Sequence, residues 1–182
     1  MAEATILLVD DEPLVLRAMA RTLGTGYRLL QATDGAGGLE WLGKEEVAVI
    51  LADQRMPGLS GDAFLKRARS LQPEAVRILI TGYADIQAVV RAVNDGGIYF
   101  YVEKPWEPEE LRLLVANAVE HYRLQRENRR LVEQLKQANQ NLAEENRRLQ
   151  HSLAAQVQFD HIVGESPAMQ AVFQLVKKVI PT

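Results

Sequence analysis

The sequence predicts a doubly wound α/β domain with a parallel five-stranded sheet, continued by one long helix. Three observations carry this. Five short apolar segments alternate with amphipathic ones through residue 107, and two of those apolar segments end in carboxylates. From Glu109 through Val163 the chain then contains neither proline nor glycine. Strands alternating with helices need crossover connections, which place the strands side by side in parallel with helices on both faces.

Taken in order, Ala4 to Val9 reads as a buried strand, followed at once by Asp10-Asp11-Glu12. Pro13 suits a first helical position, where its missing N–H is no loss. Leu14, Val15, Ala18, Met19 and Leu23 supply a helical period that Gly24 and Gly26 close. Tyr27 to Ala32 is a second strand, and Gly35 to Leu42 a short helix stopped by Gly43. Val47 to Ala52 is a third strand, ending at Asp53 before the turn Pro57-Gly58. Ser60 or Gly61 opens a helix that buries Phe64, Leu65 and Ala68. Val76 to Ile80 is a fourth strand leading to a Thr81-Gly82-Tyr83 loop. Residues 84–93 form a further helix, Ile98 to Val102 a fifth strand, and Glu103-Lys104-Pro105-Trp106 the turn into the next helix.

Composition narrows the chemistry. Hydrophobic content of 47% with 25% charged residues is that of a globular protein, so global disorder is not expected. The absence of cysteine excludes disulfides, thiolate metal sites and thiol catalysis. The three histidines, His121, His151 and His161, all come late, which removes histidine-based catalysis from the first half. No signal peptide and no 18-residue apolar run is present, so the expectation is a cytoplasmic protein that does not span a membrane. A net charge of −3 offers no bulk attraction to nucleic acid. Glycine-rich dinucleotide and P-loop motifs are both absent.

Open parallel sheets place their chemistry at the C-terminal ends of the strands. Asp10, Asp11 and Asp53 end two such strands and are expected to crowd on one edge. Mutual repulsion would raise their pKa values unless a hard divalent cation, Mg²⁺ best of all, relieves it. Thr81 ends strand four with a hydroxyl, and Lys104 follows strand five with a flexible cation. An Asp at a strand end, a Thr in a loop or a Lys beside a Pro is individually most often structural. All five at one sheet edge form a set able to hold the oxygens of a phosphoryl group in transfer to Asp53.

On these residues the first two-thirds of the chain, 4–120, resembles the receiver domain of bacterial two-component response regulators. The matching pieces are Asp10-Asp11, Asp53-Gln54-Arg55-Met56-Pro57-Gly58-Leu59-Ser60-Gly61, Thr81-Gly82-Tyr83-Ala84 and Tyr101-Val102-Glu103-Lys104-Pro105. The resemblance implies a flavodoxin-like strand order 2-1-3-4-5 and a phosphoacceptor at Asp53, supplied by the phosphohistidine of a sensor kinase. It implies Mg²⁺ held by Asp10, Asp11, Asp53 and the main-chain carbonyl of Arg55, with Lys104 and Thr81 meeting the phosphoryl oxygens. It also implies an aromatic switch at Tyr101 and a cis peptide at Lys104–Pro105. Arg55 and Tyr83 stand at variable positions of the pattern, where bulk is expected to shield an acyl phosphate from water.

The receiver is expected over 1–122, a coiled-coil linker over 123–158, and the start of a further domain over 159–182. Leu124, Asn128, Leu131, Leu135, Ala138, Leu142, Asn146, Leu149 and Leu153 follow one another in steps of three and four, heptad spacing with one stutter. Glu127-Asn128-Arg129-Arg130-Leu131 recurs as Glu145-Asn146-Arg147-Arg148-Leu149. Such a stripe on an otherwise polar helix calls for a partner, most simply a second copy in a parallel dimer, with Asn128 and Asn146 setting register. The alternative is a single helix folded back on the receiver. Interspersed glutamates cancel the arginine pairs as a nucleic-acid patch.

His161-Ile162-Val163-Gly164-Glu165-Ser166-Pro167-Ala168-Met169 resembles the opening of the ATPase domain of sigma-54-dependent, nitrogen-regulator-type activators. Ser166-Pro167 fits a helix start, and Met169, Val172, Phe173, Val176 and Val179 an apolar face. The resemblance implies a fragment whose effector domains, and with them DNA and RNA polymerase contacts, lie elsewhere. The wording from Ala52 to Gly58, with the long linker, resembles the hydrogenase-regulator branch. Two other readings compete: a constitutive dimeric scaffold with a non-switching receiver, and a phosphatase. The second needs an acid/base carboxylate shortly after the nucleophile, where Arg55 stands.

Overall fold

The computed structural model describes residues 4–82, 97–156 and 167–179. Five strands, β1 (Thr5–Val9), β2 (Arg28–Ala32), β3 (Val49–Asp53), β4 (Val76–Thr81) and β5 (Phe100–Glu103), form one sheet in the order β2-β1-β3-β4-β5. Every pairing is parallel. The helices among the described residues are α1 (Pro13–Leu23), α2 (Gly35–Lys44), α3 (Gly61–Leu71), α4 (Pro108–Gln156) and α5 (Pro167–Val179). The expected helix 84–93, Tyr83 and the Ser166 helix start lie outside the described residues. Contacts divide the chain into two compact units, Met1–Leu131 and Val132–Thr182.

Alternation along the central strands builds both faces of the sheet. Ile6, Leu8, Val49, Leu51, Ile78 and Ile80 pack with Leu16 and Met19 of α1 and with Leu111, Val115 and Ala118 of α4. Leu7, Val9, Ile50, Ala52 and Leu79 turn the other way, against Leu42 of α2 and Phe64, Leu65 and Ala68 of α3. Strands buried on both faces read as continuous apolar runs, which is why β1, β3 and β4 were legible as segments.

Several boundaries differ from expectation. β3 starts at Val49 and reaches Asp53, and β4 takes in Thr81, which ends the strand rather than opening the loop. α2 runs past Gly43 to Lys44, its start capped by the Asp34 carboxylate, which accepts the Gly37 N–H at 2.7 Å. β5 begins at Phe100, not Ile98. In α1 the inward stripe is Leu16, Met19 and Leu23, while Leu14 is 71% exposed. With Pro13 as the first helical residue, Leu14 lies about 200° around the helix from Leu16 and faces water.

One buried charge was not foreseen. Arg77 of β4 is 9% exposed and has carbonyl partners: Pro73 and Ala75 accept from Nη1, and Gly97 accepts from Nε and Nη2. Burial, then the nearby Arg69 charge, lowers its pKa from the usual guanidinium value.

Candidate functional site

Strand register assembles the edge. Val9 of β1 pairs with Ala52 of β3, so Asp10 and Asp53 leave adjacent strands together. Asp53 stands opposite Ile80 and Thr81 opposite Glu103, and the Lys104 N–H donates to the Thr81 carbonyl at 2.8 Å. Four of the expected residues, Asp10, Asp53, Thr81 and Lys104, therefore meet at one end of the sheet through backbone pairing alone.

Lys104 is the centre of this group. Its ammonium lies 2.5 Å from Asp53 Oδ1 and 2.8 Å from Asp10 Oδ2. Asp10 is fully buried and Asp53 is 5% exposed. The second oxygen of each carboxylate accepts a main-chain N–H, Asp10 Oδ1 from Glu12 at 2.9 Å and Asp53 Oδ2 from Arg55 at 2.6 Å. The Lys104–Pro105 peptide is cis. Thr81 is buried, its hydroxyl donating to the Gly82 carbonyl at 3.2 Å. Tyr101 is 41% exposed, its ring stacked on Phe100.

The electrostatic account differs from three carboxylates repelling one another. Burial is the main influence raising the Asp10 pKa, opposed by the bonds from Lys104 and the Glu12 N–H, and the Asp53 charge is the smallest contributor. Burial works against the Lys104 ammonium too, yet its bonds to Asp10 and Asp53 and their charges outweigh it and raise its pKa. Asp11 is exposed, and among the described residues no three His, Cys, Asp or Glu side chains converge on one point. The expected cluster is thus two buried carboxylates bridged by one lysine.

That donor set suits a hard cation. The available groups are oxygens only, and one ammonium balances only one of two buried negative charges. Mg²⁺ keeps several waters and binds through one or two carboxylates plus phosphate oxygens, so no preassembled cage is needed.

The loop after β3 is held by contacts to Asp62 that the sequence did not single out. The Gln54 amide donates to Asp62 Oδ1 at 3.1 Å and accepts the Asp62 N–H at 3.2 Å, while the Ser60 hydroxyl donates to Asp62 at 2.6 Å. Gly61 packs against the Asp53 backbone so closely that a Cβ there would lie 2.2 Å from the Asp53 carbonyl oxygen. Gln54 and Asp62 are eight positions apart across a turn, and no periodic signal marks such a pair.

Sequence comparison agrees with this geometry. The response regulator receiver domain matches residues 6–116. The chain belongs to the response regulator receiver family. It is 38% identical over 178 residues to the hydrogenase transcriptional regulatory protein HoxA of Cupriavidus necator, an alignment covering 97% of this chain and 37% of that protein. It is 30% identical over 180 residues to the DNA-binding transcriptional regulator NtrC of Escherichia coli K12, covering 98% of this chain and 34% of that protein. The crystal structure of NtrX from Brucella abortus superposes with a TM-score of 0.66 at 26% identity, covering all of this chain and 35% of that one. The chain thus spans about a third of the length of these relatives. The expected likeness to nitrogen-regulator-type activators, and to the hydrogenase-regulator branch within them, is borne out. Among the described residues no helix is long and apolar enough to cross a membrane.

Proposed function

We propose that this receiver takes a phosphoryl group from the phosphohistidine of a sensor kinase onto Asp53. The observation that carries the reading is the Lys104 ammonium, fixed between Asp53 and Asp10 at 2.5 and 2.8 Å with buried Thr81 on the neighbouring strand end. In the transfer an Asp53 carboxylate oxygen forms the new O–P bond as the N–P bond of the phosphohistidine breaks, and the imidazole leaves. Lys104, already bonded to Asp53, follows the incoming charge onto the phosphoryl oxygens. Thr81 gives up its Gly82 carbonyl and donates its hydroxyl to a phosphoryl oxygen. Asp10, Asp11, Asp53 and the main-chain carbonyl of Arg55 are the groups that would hold Mg²⁺. When bound, Mg²⁺ would neutralise charge on the transferring phosphoryl group.

The inward movement of Thr81 is coupled in this account to a turn of Tyr101 from its half-exposed position. The change passes into α4, which begins soon after Lys104 and carries the leucine stripe. Leu124, Leu131, Leu135, Leu142 and Leu149 are 52–63% exposed, and Asn128 and Asn146 are exposed as well. The side chain of Leu153 lies outside those described. A parallel homodimer over 123–158 covers this stripe, with 159–182 opening a cytoplasmic ATPase/effector domain, and DNA and RNA polymerase are met only through effector domains outside these residues. The chain itself is a phosphoacceptor and not a turnover enzyme.

Incubation with acetyl phosphate and Mg²⁺ tests the reading. A stoichiometric, slowly decaying adduct that Asp53→Asn abolishes supports it. Absence of an adduct supports the constitutive scaffold, and continuous phosphate release the phosphatase.

A further inference from the structure

β3 is apolar from Val49 to Ala52, and the residue directly behind Asp53 is an amide, Gln54, only 7% exposed. Burying an amide costs free energy unless its donor and its acceptor are both met. Here every polar group of Gln54 has a partner. Its main-chain N–H donates to the Ile80 carbonyl at 2.8 Å, continuing the β3–β4 ladder, and its main-chain carbonyl accepts the Gly61 N–H at 3.1 Å. Its side-chain oxygen accepts the Asp62 N–H at 3.2 Å, and Nε2 donates to Asp62 Oδ1 at 3.1 Å.

Two of these bonds serve as a helix cap. The first N–H groups of a helix have no partner within it and are ordinarily met by the side chain of the capping residue. Ser60 stands at the N-cap of α3, yet its hydroxyl makes no capping bond and donates instead to Asp62 Oδ1 at 2.6 Å. The N–H groups of Gly61 and Asp62, the first two residues of α3, are taken by the two oxygens of Gln54. The Asp62 carboxylate sits in the first turn, where the helix dipole favours it. β4 and α3 are therefore tied together at the residue between Asp53 and Arg55.

The main chain of Arg55 depends on that tie. Its N–H donates to Asp53 Oδ2 at 2.6 Å, and its carbonyl is the main-chain member of the Mg²⁺ set proposed above. A main-chain ligand has no rotamers, and its direction follows from the backbone dihedrals around it. We propose that Gln54 is a positioning residue for cation binding: by clamping β4 to the start of α3, it fixes the Arg55 N–H on Asp53 and the Arg55 carbonyl for Mg²⁺. This rests on the phosphoacceptor reading and deepens it. The competing role is a loop staple that supports stability alone.

Magnesium chloride titrated calorimetrically into the whole chain, without a phosphodonor, separates the two roles. Gln54→Met keeps the length of the side chain and removes both amide groups. Its Mg²⁺ dissociation constant is expected to rise about tenfold, as when groups that orient metal ligands are lost. Its acetyl phosphate reaction at saturating Mg²⁺ is expected to stay within about threefold of the parent rate, the pattern of lost binding with the chemical step retained. A Mg²⁺ constant within about twofold of the parent in the folded variant, whatever its urea midpoint, overturns the inference. Should Gln54→Met not fold, Asp62→Ala at a half-buried position removes the Nε2 partner and leaves Gln54 in place. Weakening of Mg²⁺ by about threefold or more is then expected, and an unchanged constant overturns the inference. A parent that binds Mg²⁺ but forms no adduct removes the phosphoacceptor reading and leaves the Mg²⁺ comparison intact. A parent that binds no Mg²⁺ removes the inference outright.

Discussion

Replacing Lys104 by methionine removes the cation that bridges the two buried carboxylates Asp10 and Asp53. Taking one partner from a fully buried ion pair costs about 3–5 kcal/mol, because the remaining charge is left without compensation. The Lys104 side chain is 25% exposed, while those of Asp10 and Asp53 are 0% and 7% exposed. Solvent screens part of the loss, so a destabilisation of about 2–3 kcal/mol is expected. In urea with EDTA at neutral pH that lowers the unfolding midpoint by about 1 M, given a slope of about 2 kcal/mol per molar. Mg²⁺ should reverse much of it. A ligand at a hundred times its dissociation constant adds about 2.7 kcal/mol, and without the competing ammonium the two carboxylates bind the cation more tightly. The stabilisation by Mg²⁺ is therefore larger in Lys104→Met than in the parent. A variant within about 0.5 kcal/mol of the parent in EDTA, or one with an equal Mg²⁺ increment, refutes the reasoning.

Three further outcomes follow from the same geometry. Asp10 has a raised pKa in the fold, so its contribution to stability is fully present below 3.8 and is lost as pH rises through the raised value. Asp10→Asn should flatten that part of the stability–pH curve when measured in EDTA, and an unchanged slope contradicts the assignment. Gly61→Ala drives a methyl into the Asp53 carbonyl and should cost at least about 2 kcal/mol in urea unfolding, with reduced phosphorylation; a neutral effect on both would show that the loop yields. Arg55 is exposed beside Asp53, and Arg55→Ala should shorten the lifetime of the phosphorylated form if its bulk keeps water away. Hydrolysis at the parent rate would remove that role.

Most of this fold was legible because the apolar strand segments and the carboxylates that end them are local features. Strand order follows from the family resemblance, and the register that brings Lys104 beside Thr81 is a property of paired backbones. What escaped the sequence is long-range and polar. The Gln54–Asp62 pair joins residues across a turn without a period, and Arg77 is buried on backbone carbonyls that no side-chain pattern encodes. Leu14 and Leu16 are equally apolar, and Leu16 faces the sheet because it shares one face of α1 with Met19 and Leu23, at i+3 and i+7. The mutual repulsion expected of Asp10, Asp11 and Asp53 also gave way to burial and a shared lysine, because Asp11 stays in solvent while Lys104 reaches between the other two.

The central claim is that Asp53 carries the phosphoryl group. Reducing the acetyl phosphate-treated protein with borohydride converts an aspartyl phosphate to homoserine, and peptide mass mapping locates it. The account predicts homoserine at position 53 alone, dependent on Mg²⁺ and absent without acetyl phosphate. Conversion at another aspartate, or none at position 53 in folded protein, would contradict it.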